Sequence, residues 1–544
     1  MTHKHWLKSY GTIAHEIDPK AYRSVLHLME SSMQRFADLP ALRCAGQTLT
    51  YAQLDTLSRD LAAYLQTELG IQKGDRVAVM TPNLFAFPIA LLAIVRVGAI
   101  QVNVNPLYTP HELEHQLNDA GASSIIVFSG VSATVAQVLD KTQIKNIIVN
   151  GVGDGSAVNL PSPPVDARLA DCITMVEALK KGATMEFKPV NIESQDVLFL
   201  QYTGGTTGLS KGAALTHGNL VANTQQFKSF MPNAMRPGQE VIVTAIPLYH
   251  IFALMVNFIT YFSVGAENWL VPNPRDMDGF VAVLKAARPT VFMGVNTLYA
   301  GLVMHPKINE VDWSRLHLAG GGGAAVIGVI SDKWQAITGT FIREGYGLSE
   351  TGPVLSFNPA QINAFNGTTG LPLPSTDIKL LDDQGQEVAL GESGEICAKG
   401  PQVMPGYWNQ AQANQEAFTP DGYFKTGDIG VFDAEGFLKI VDRKKDMILV
   451  SGFNVFPNEI EAVATSCKGV AECACIGEPD EKTGEAVKLF VVKVQGASLT
   501  QSDVLDHCKK YLTAYKVPKT IIFLEALPKS TVGKILRREL RQVR

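Results

Sequence analysis

The sequence is poor in the features that direct a chain into a membrane, out of the cell or onto a nucleic acid. It has no unbroken run of about 20 apolar residues. The most apolar stretch, residues 251–272, carries Asn257, Thr260, Ser263, Glu267 and Asn268, and residues 85–104 are interrupted by Pro88 and Arg96. Both are expected to be buried segments of a soluble protein. The opening Met-Thr-His-Lys-His-Trp-Leu-Lys lacks the apolar core and small-residue cleavage site of a secretion signal. Neither sign of charge dominates, with 47 basic and 52 acidic residues, so there is no global pull toward nucleic acid or anionic lipid, and small-molecule partners are expected. Cysteine is scarce. The seven, Cys44, Cys172, Cys397, Cys467, Cys473, Cys475 and Cys508, form no CxxC pair, which argues against a zinc site and for a reducing compartment. Cys473 and Cys475 alternate within an apolar run and read as buried strand residues. Internal repeats and low-complexity tracts are also lacking.

What is present is length and alternation. At 544 residues the chain exceeds one ordinary core and should divide into two or more domains. Strand-like runs such as residues 76–80 and 124–128 alternate with helix-like segments around 54–69 and 110–120, the pattern of an α/β architecture. Residues 151–166, crowded with Gly, Pro, Ser and Asp, read as a surface loop. A domain boundary is expected where short strands end in the charged string Asp442-Arg443-Lys444-Lys445-Asp446. This gives a large domain over 1–442, a hinge at 443–446 and a small domain over 447–544.

The strongest chemical signal is Tyr202-Thr203-Gly204-Gly205-Thr206-Thr207-Gly208-Leu209-Ser210-Lys211-Gly212, directly after a strand-like segment at 196–201. Four glycines, three threonines and one lysine lie within these eleven residues. Glycine lets main-chain N–H groups approach an anion, threonine adds hydroxyl donors and lysine adds charge, which together suit a phosphate. A flexible Gly/Ser surface loop would not need that density of hydroxyls with a lysine. A P-loop would need Gly-Lys-Ser/Thr, whereas Lys211 lies between Ser210 and Gly212.

The string resembles the phosphate-binding signature of the adenylate-forming superfamily, which includes acyl-CoA synthetases, luciferases and peptide-synthetase adenylation domains. Further strings match in the family's order: Pro247-Leu248-Tyr249-His250, Gly320-Gly321-Gly322-Gly323-Ala324, Glu344-Gly345-Tyr346-Gly347-Leu348-Ser349-Glu350-Thr351, Thr426-Gly427-Asp428 and Pro528-Lys529-Ser530-Thr531-Val532-Gly533-Lys534. The likeness covers essentially the whole chain, and residues 421–445 look like the fatty acyl-CoA synthetase branch. The resemblance implies a large multi-subdomain α/β N-terminal domain and a smaller mobile α+β C-terminal domain. It also implies an ATP- and Mg2+-dependent ligase that makes acyl-AMP and pyrophosphate, then acyl-CoA and AMP, from a long-chain fatty acid and coenzyme A.

The resemblance also implies roles residue by residue. Glu350 binds magnesium, a sensible duty for a hard carboxylate oxygen, and Thr203 adds a hydroxyl ligand. Gly204, Gly205, Thr206, Thr207, Gly208 and Lys211 cradle the phosphates. Tyr346 stacks on adenine, framed by Gly321, Gly322, Gly323, Glu344, Gly345, Gly347 and Ser349. Asp428 takes the ribose hydroxyls, assisted by Arg443. Lys534 stabilises the charge that builds during adenylation. His250 orients or gates between acyl pocket and thiol channel. Lys445 is the pivot, and Gly452 leaves room for the pantetheine arm. Two positions depart from the family pattern: Leu449 stands where many relatives have lysine, and Lys425 where histidine is common. Candidates for an acyl tunnel are residues 251–256 and 292–295. A fatty acyl-AMP ligase, a ligase for a shorter or aromatic acid and a non-catalytic binding relative are the alternatives. The expected location is cytoplasmic. Peripheral membrane contact and a homodimer stay open.

Overall fold

A computed structural model describes residues 4–203, 210–451, 453–530 and 533–543. The expected strand at 76–80 forms as Arg76–Met80 and pairs in parallel with Ile100–Asn103 on one side and Ser124–Phe128 on the other. It belongs to an eight-stranded sheet that runs from Gly406–Tyr407 through Lys211–Thr216 and Val197–Thr203 to Ile173–Thr174. A nine-stranded sheet, also largely parallel, contains Val241–Thr244, Val291–Gly294, Leu318–Gly321 and Ile342–Gly347. Helices between the strands start where the sequence supplies caps. Thr109 accepts the N–H of Glu112, whose carboxylate reaches back, and Pro110 opens the helix Pro110–Ala120; Gly121 closes it in the left-handed conformation.

Two compact units result, each with its own core. One comprises the described residues within 10–377 and 399–422, the other those within 1–9, 378–398 and 423–544. The second unit is α+β. It contains a four-stranded sheet ending in Phe424–Phe432 and Leu438–Arg443, and a mainly antiparallel sheet built on Val470–Asp480 and Gly484–Lys493. Cys473 and Cys475 are buried in its core as free thiols on Val470–Asp480. This division differs from a single cut after residue 442. The strand Leu438–Arg443 stays with the C-terminal residues because Asp442 accepts the Asn458 N–H at 2.7 Å and Asn458 Nδ2 donates to the Val441 carbonyl at 3.1 Å. Arg537 and Arg541 add ion pairs to Asp446 at 3.5 and 3.2 Å.

The two apolar stretches are interior. Residues 251–272 form a buried π-helix, Phe252–Thr260, a conformation rare at this length, and then Glu267–Leu270, an interior strand of the nine-stranded sheet. The helix Ala86–Arg96 is buried along its length; Pro88 falls in its first turn, where no N–H partner is needed. Among the described residues no helix is long and apolar enough to cross a membrane.

Arg96 explains how a cation ends such a helix. Its side chain is 1% exposed, with Nη1 on Glu30 at 2.7 Å, Nη2 on Asp55 at 2.5 Å and Nε on Ser58 at 3.2 Å. The guanidinium therefore staples the helices Val25–Arg35 and Tyr51–Thr67 to the end of Ala86–Arg96. Arg96→Ala removes the pairing and leaves a void, and is expected to cost about 3 kcal/mol, read as a lower midpoint in thermal unfolding. A midpoint equal to that of the parent would mean the staple is not stabilising.

Candidate active site

The phosphate-loop string is held as the link of an antiparallel pair. Val197–Thr203 and Lys211–Thr216 pair so that Thr203 lies opposite Lys211, and Tyr202 opposite Gly212. Gly204, Gly205, Thr206, Thr207 and Gly208 lie outside the described residues, as does Gly452. The two residues that flank the loop face neighbours that are themselves in contact, Glu350 and Tyr407. Thr203 donates its hydroxyl to Glu350 Oε1 at 3.3 Å, and the Lys211 ammonium lies 5.5 Å from the ring centroid of Tyr407.

Glu350 occupies a short 3-10 turn, Ser349–Thr351, just past the strand Ile342–Gly347. Its main-chain carbonyl accepts the Met404 N–H at 2.8 Å. The residue is 7% exposed, and Oε1 also accepts the Tyr407 hydroxyl at 2.9 Å. Burial, and secondly the charge of Glu350, push the Tyr407 phenol well above its ordinary range, so it remains a donor. Among the described residues no three His, Cys, Asp or Glu side chains are placed to hold a metal ion. The carboxylate of Glu350 and the Thr203 hydroxyl instead form a small set of hard oxygens. That set fits Mg2+ that takes its remaining ligands from phosphate and water.

The glycine strings bring backbone close to backbone. Leu318–Gly321 pairs in parallel with Ile342–Gly347, with Gly321 opposite Glu344, and Gly345 and Tyr346 pair onward with Phe357 and Ser356. A Cβ on Gly347 would come within 1.8 Å of the Pro353 carbonyl oxygen, so no other residue fits there. Gly323 has φ +75°, in the left-handed region. Tyr346 is half-buried on this strand, next to Glu344 and Gly345. Glu344 is 7% exposed and accepts the Val326 N–H; burial raises its carboxyl to about 8. At neutral pH it is therefore an acid that can both donate and accept a hydrogen bond.

His250 opens the π-helical segment. Its main-chain N–H donates to the Pro247 carbonyl at 3.0 Å, and its Nδ1 accepts the Phe252 N–H at 3.3 Å. The preceding carbonyl, Tyr249, is held by Gln201 Nε2 at 3.0 Å. In residues 251–256 only Phe252 is half-buried. Phe292 is core: it stacks on Trp334 at 5.6 Å and meets Tyr299 edge-on at 5.4 Å.

The remaining site residues lie together in the smaller unit. Asp428 and Arg443 are cross-strand partners, with Arg443 Nε 3.4 Å from Asp428 Oδ1 and Asp428 only 6% exposed. Lys534 sits on a turn closed by its own carbonyl accepting the Ser530 N–H at 2.7 Å. Its ammonium feels Arg443, Asp428, Lys445 and Arg537; burial first, then Arg443, lower it to about 8. Lys445 is likewise lowered to about 8, by burial and then Arg443. One carboxylate thus stands among three cations, an arrangement suited to an anion.

Tyr407 was not among the residues expected from the sequence. Its position depends on pairing of Gly406–Tyr407 with Ala213 and Ala214, which no local pattern announces.

The raised carboxyl of Glu344 has a consequence for stability. Its folded value lies above its ordinary one, so the folded state holds a proton that the unfolded state has released. Stability from this group is full below the ordinary carboxylate range and is lost as pH rises toward about 8. Glu344→Gln cannot ionise and should gain thermal midpoint relative to the parent between pH 5 and pH 8. Parallel midpoint-against-pH curves for the two proteins would refute it.

Comparison with known proteins bears on both units. The family profile of the AMP-binding enzymes matches residues 29–408, and that of the AMP-binding enzyme C-terminal domain matches residues 459–534. The long-chain-fatty-acid--CoA ligase of Salmonella typhimurium is 49% identical over 550 residues, covering 99% of this chain and 98% of its own. That of Haemophilus influenzae is 44% identical with the same coverage. Among solved structures, ATP-bound MatB from Rhodopseudomonas palustris matches with a TM-score of 0.84 at 30% identity, covering 95% of this chain and 98% of its own. The anthranilate CoA ligase AuaEII in complex with anthranoyl-AMP gives a TM-score of 0.87 at 25% identity, with 97% and 98% coverage. Matched by family profiles over most of its length and by a relative 49% identical along nearly the whole of both chains, the chain belongs to the adenylate-forming family of AMP-binding enzymes.

Proposed function

We infer that this protein is an ATP-dependent acid–thiol ligase that joins a long-chain fatty acid to coenzyme A by way of an acyl-adenylate. The observation that carries the reading is likeness to long-chain-fatty-acid--CoA ligases along nearly the full length of both chains. The arrangement of side chains supports it.

Adenylation needs an acid carboxylate to attack the α-phosphate of ATP, which concentrates negative charge on acyl and phosphate oxygens. Lys534 meets that charge with its ammonium, and because the charge is greatest in the transition state, the interaction accelerates the step. Asp428, fixed by Arg443, accepts the ribose hydroxyls. Tyr346 stacks on the base while the neutral Glu344 carboxyl offers donor and acceptor to its edge. Bound Mg2+ supplies neutralisation of the phosphate charge, and Glu350 and Thr203 would hold it. His250 orients the activated acyl group. In the second step the CoA thiol attacks the acyl carbonyl and AMP leaves. A pivot about Lys445 between the steps belongs to the same reading, as does peripheral contact with a membrane, where such acids partition.

Burying one methylene contributes roughly 0.8 kcal/mol, so two more carbons should raise kcat/KM about tenfold while the acyl pocket has room. With ATP, CoA and saturated acids from hexanoate upward, activity measured as AMP release should climb and level off among long chains. A preference for acetate, benzoate or an amino acid would refute the fatty acid. Accumulation of adenylate without thioester in the presence of CoA would refute the ligase.

The half-reactions separate the proposed roles. Lys534→Ala should slow adenylate formation by about a thousandfold while sparing thioester formation from supplied acyl-adenylate, since only the first step needs that ammonium. Lys445→Pro should do the reverse, sparing adenylation and slowing the CoA step. Equal losses in both steps for Lys534→Ala, or two unchanged rates for Lys445→Pro, would count against each role.

A further inference from the structure

The two flanks of the phosphate loop meet at one aromatic side chain that the reading above does not use, Lys211 directly and Thr203 by way of Glu350. Thr203, before the loop, and Tyr407 donate hydroxyls to the same oxygen of Glu350, at 3.3 and 2.9 Å. Lys211, after the loop, sets its ammonium over the Tyr407 ring, 5.5 Å from the centroid. Tyr407 is itself clamped. Its N–H donates to Asn414 Oδ1 at 2.6 Å, its carbonyl accepts Asn414 Nδ2 at 3.0 Å, and the next N–H, of Trp408, donates to the Gly212 carbonyl at 2.8 Å.

A carboxylate is free to rotate about its last bond, and a single hydrogen bond leaves much of that rotation. Two O–H donors from different strands on one oxygen fix the plane of the group and so the direction in which its second oxygen faces. An ammonium over an aromatic face is held without loss of charge or donors, so it remains available to an anion. The same ring therefore acts on both polar groups that would meet a triphosphate.

We propose that Tyr407 is a positioning residue of the nucleotide site: its hydroxyl aims the Glu350 carboxylate at the metal that accompanies ATP, and its ring stations the Lys211 ammonium beside the loop. This rests on Glu350 being the metal-binding carboxylate. Tyr407→Phe removes only the aiming, whereas Tyr407→Leu removes the stationing as well.

The test is binding by the full-length protein without acid or CoA, so that no turnover occurs. Mn2+–ATP is followed by the electron paramagnetic resonance of free Mn2+, and ATP in EDTA by equilibrium dialysis. For Tyr407→Phe the Kd of Mn2+–ATP should rise about tenfold, equivalent to about 1.4 kcal/mol, with metal-free ATP binding unchanged. Tyr407→Leu should weaken both, and Glu350→Gln should remove the gain in affinity that metal brings. Equal weakening by Tyr407→Phe with and without metal would reveal a general loosening and overturn the proposal. Unchanged Mn2+–ATP binding in Tyr407→Phe, with the metal gain lost in Glu350→Gln, would overturn it while leaving Glu350 in place. A metal gain that survives Glu350→Gln would overturn the reading of Glu350, and this proposal with it.

Discussion

The buried carboxylate of Glu350 is the constraint on which the larger unit's site depends. It is reached from the nine-stranded sheet through Ile342–Gly347, and its hydroxyl donors come from Val197–Thr203 and Gly406–Tyr407 of the eight-stranded sheet. Burying a carboxylate costs several kcal/mol unless it is hydrogen-bonded. Hydroxyl donors meet that need without cancelling the charge. The group is thus held and oriented by neutral donors, an arrangement suited to a hard cation. The same contacts tie the two sheets at the phosphate loop, so packing of this unit and geometry of its site are one problem.

In the smaller unit the charges are inverted. Asp428 sits among Arg443, Lys445 and Lys534, and burial together with the crowding of cations holds both lysines near 8. A negative ligand among them would relieve the repulsion and restore both ammonium groups to full charge, so anion binding and protonation are linked. A lysine lowered to about 8 is still largely an ammonium at neutral pH, and an anion beside it would strengthen its hold on the proton.

Much of this was legible in the sequence, and the exceptions have physical causes. Strands at 76–80 and 124–128 and the helix Pro110–Ala120 fall where apolar runs, a capping box and a terminal glycine put them, because those signals are local. Glu350, Asp428, Arg443 and Lys534 were legible as members of strings, and the structure gathers the last three around one another. Tyr407 was not, since its contact with Glu350 spans 57 residues and depends on a two-residue strand. The boundary after 442 was read from short strands ending in a charged string; the Asp442–Asn458 and Asp446–Arg537 ties across that string are not visible in one dimension.

The acyl side shows most clearly what an apolar run can and cannot say. Residues 251–256 and 292–295 are equally apolar, yet their side chains divide between two duties. Phe292 is locked among Trp334, Tyr299 and Phe280, and Ile251, Ala253, Leu254, Met255 and Val256 are buried. Phe252 and Val295 are half-buried, and each borders the glycine string: a Cβ on Gly322 would lie 3.7 Å from the Phe252 ring, and one on Gly323 would lie 3.8 Å from Val295 Cγ1. Half-buried apolar surface therefore adjoins the backbone of the glycine string. The wider turn of the π-helix, with its i→i+5 bonds, sets which residue of the run faces outward. Opening space beyond Phe252 would displace packed side chains, so the close packing of that core resists entry of further apolar groups there.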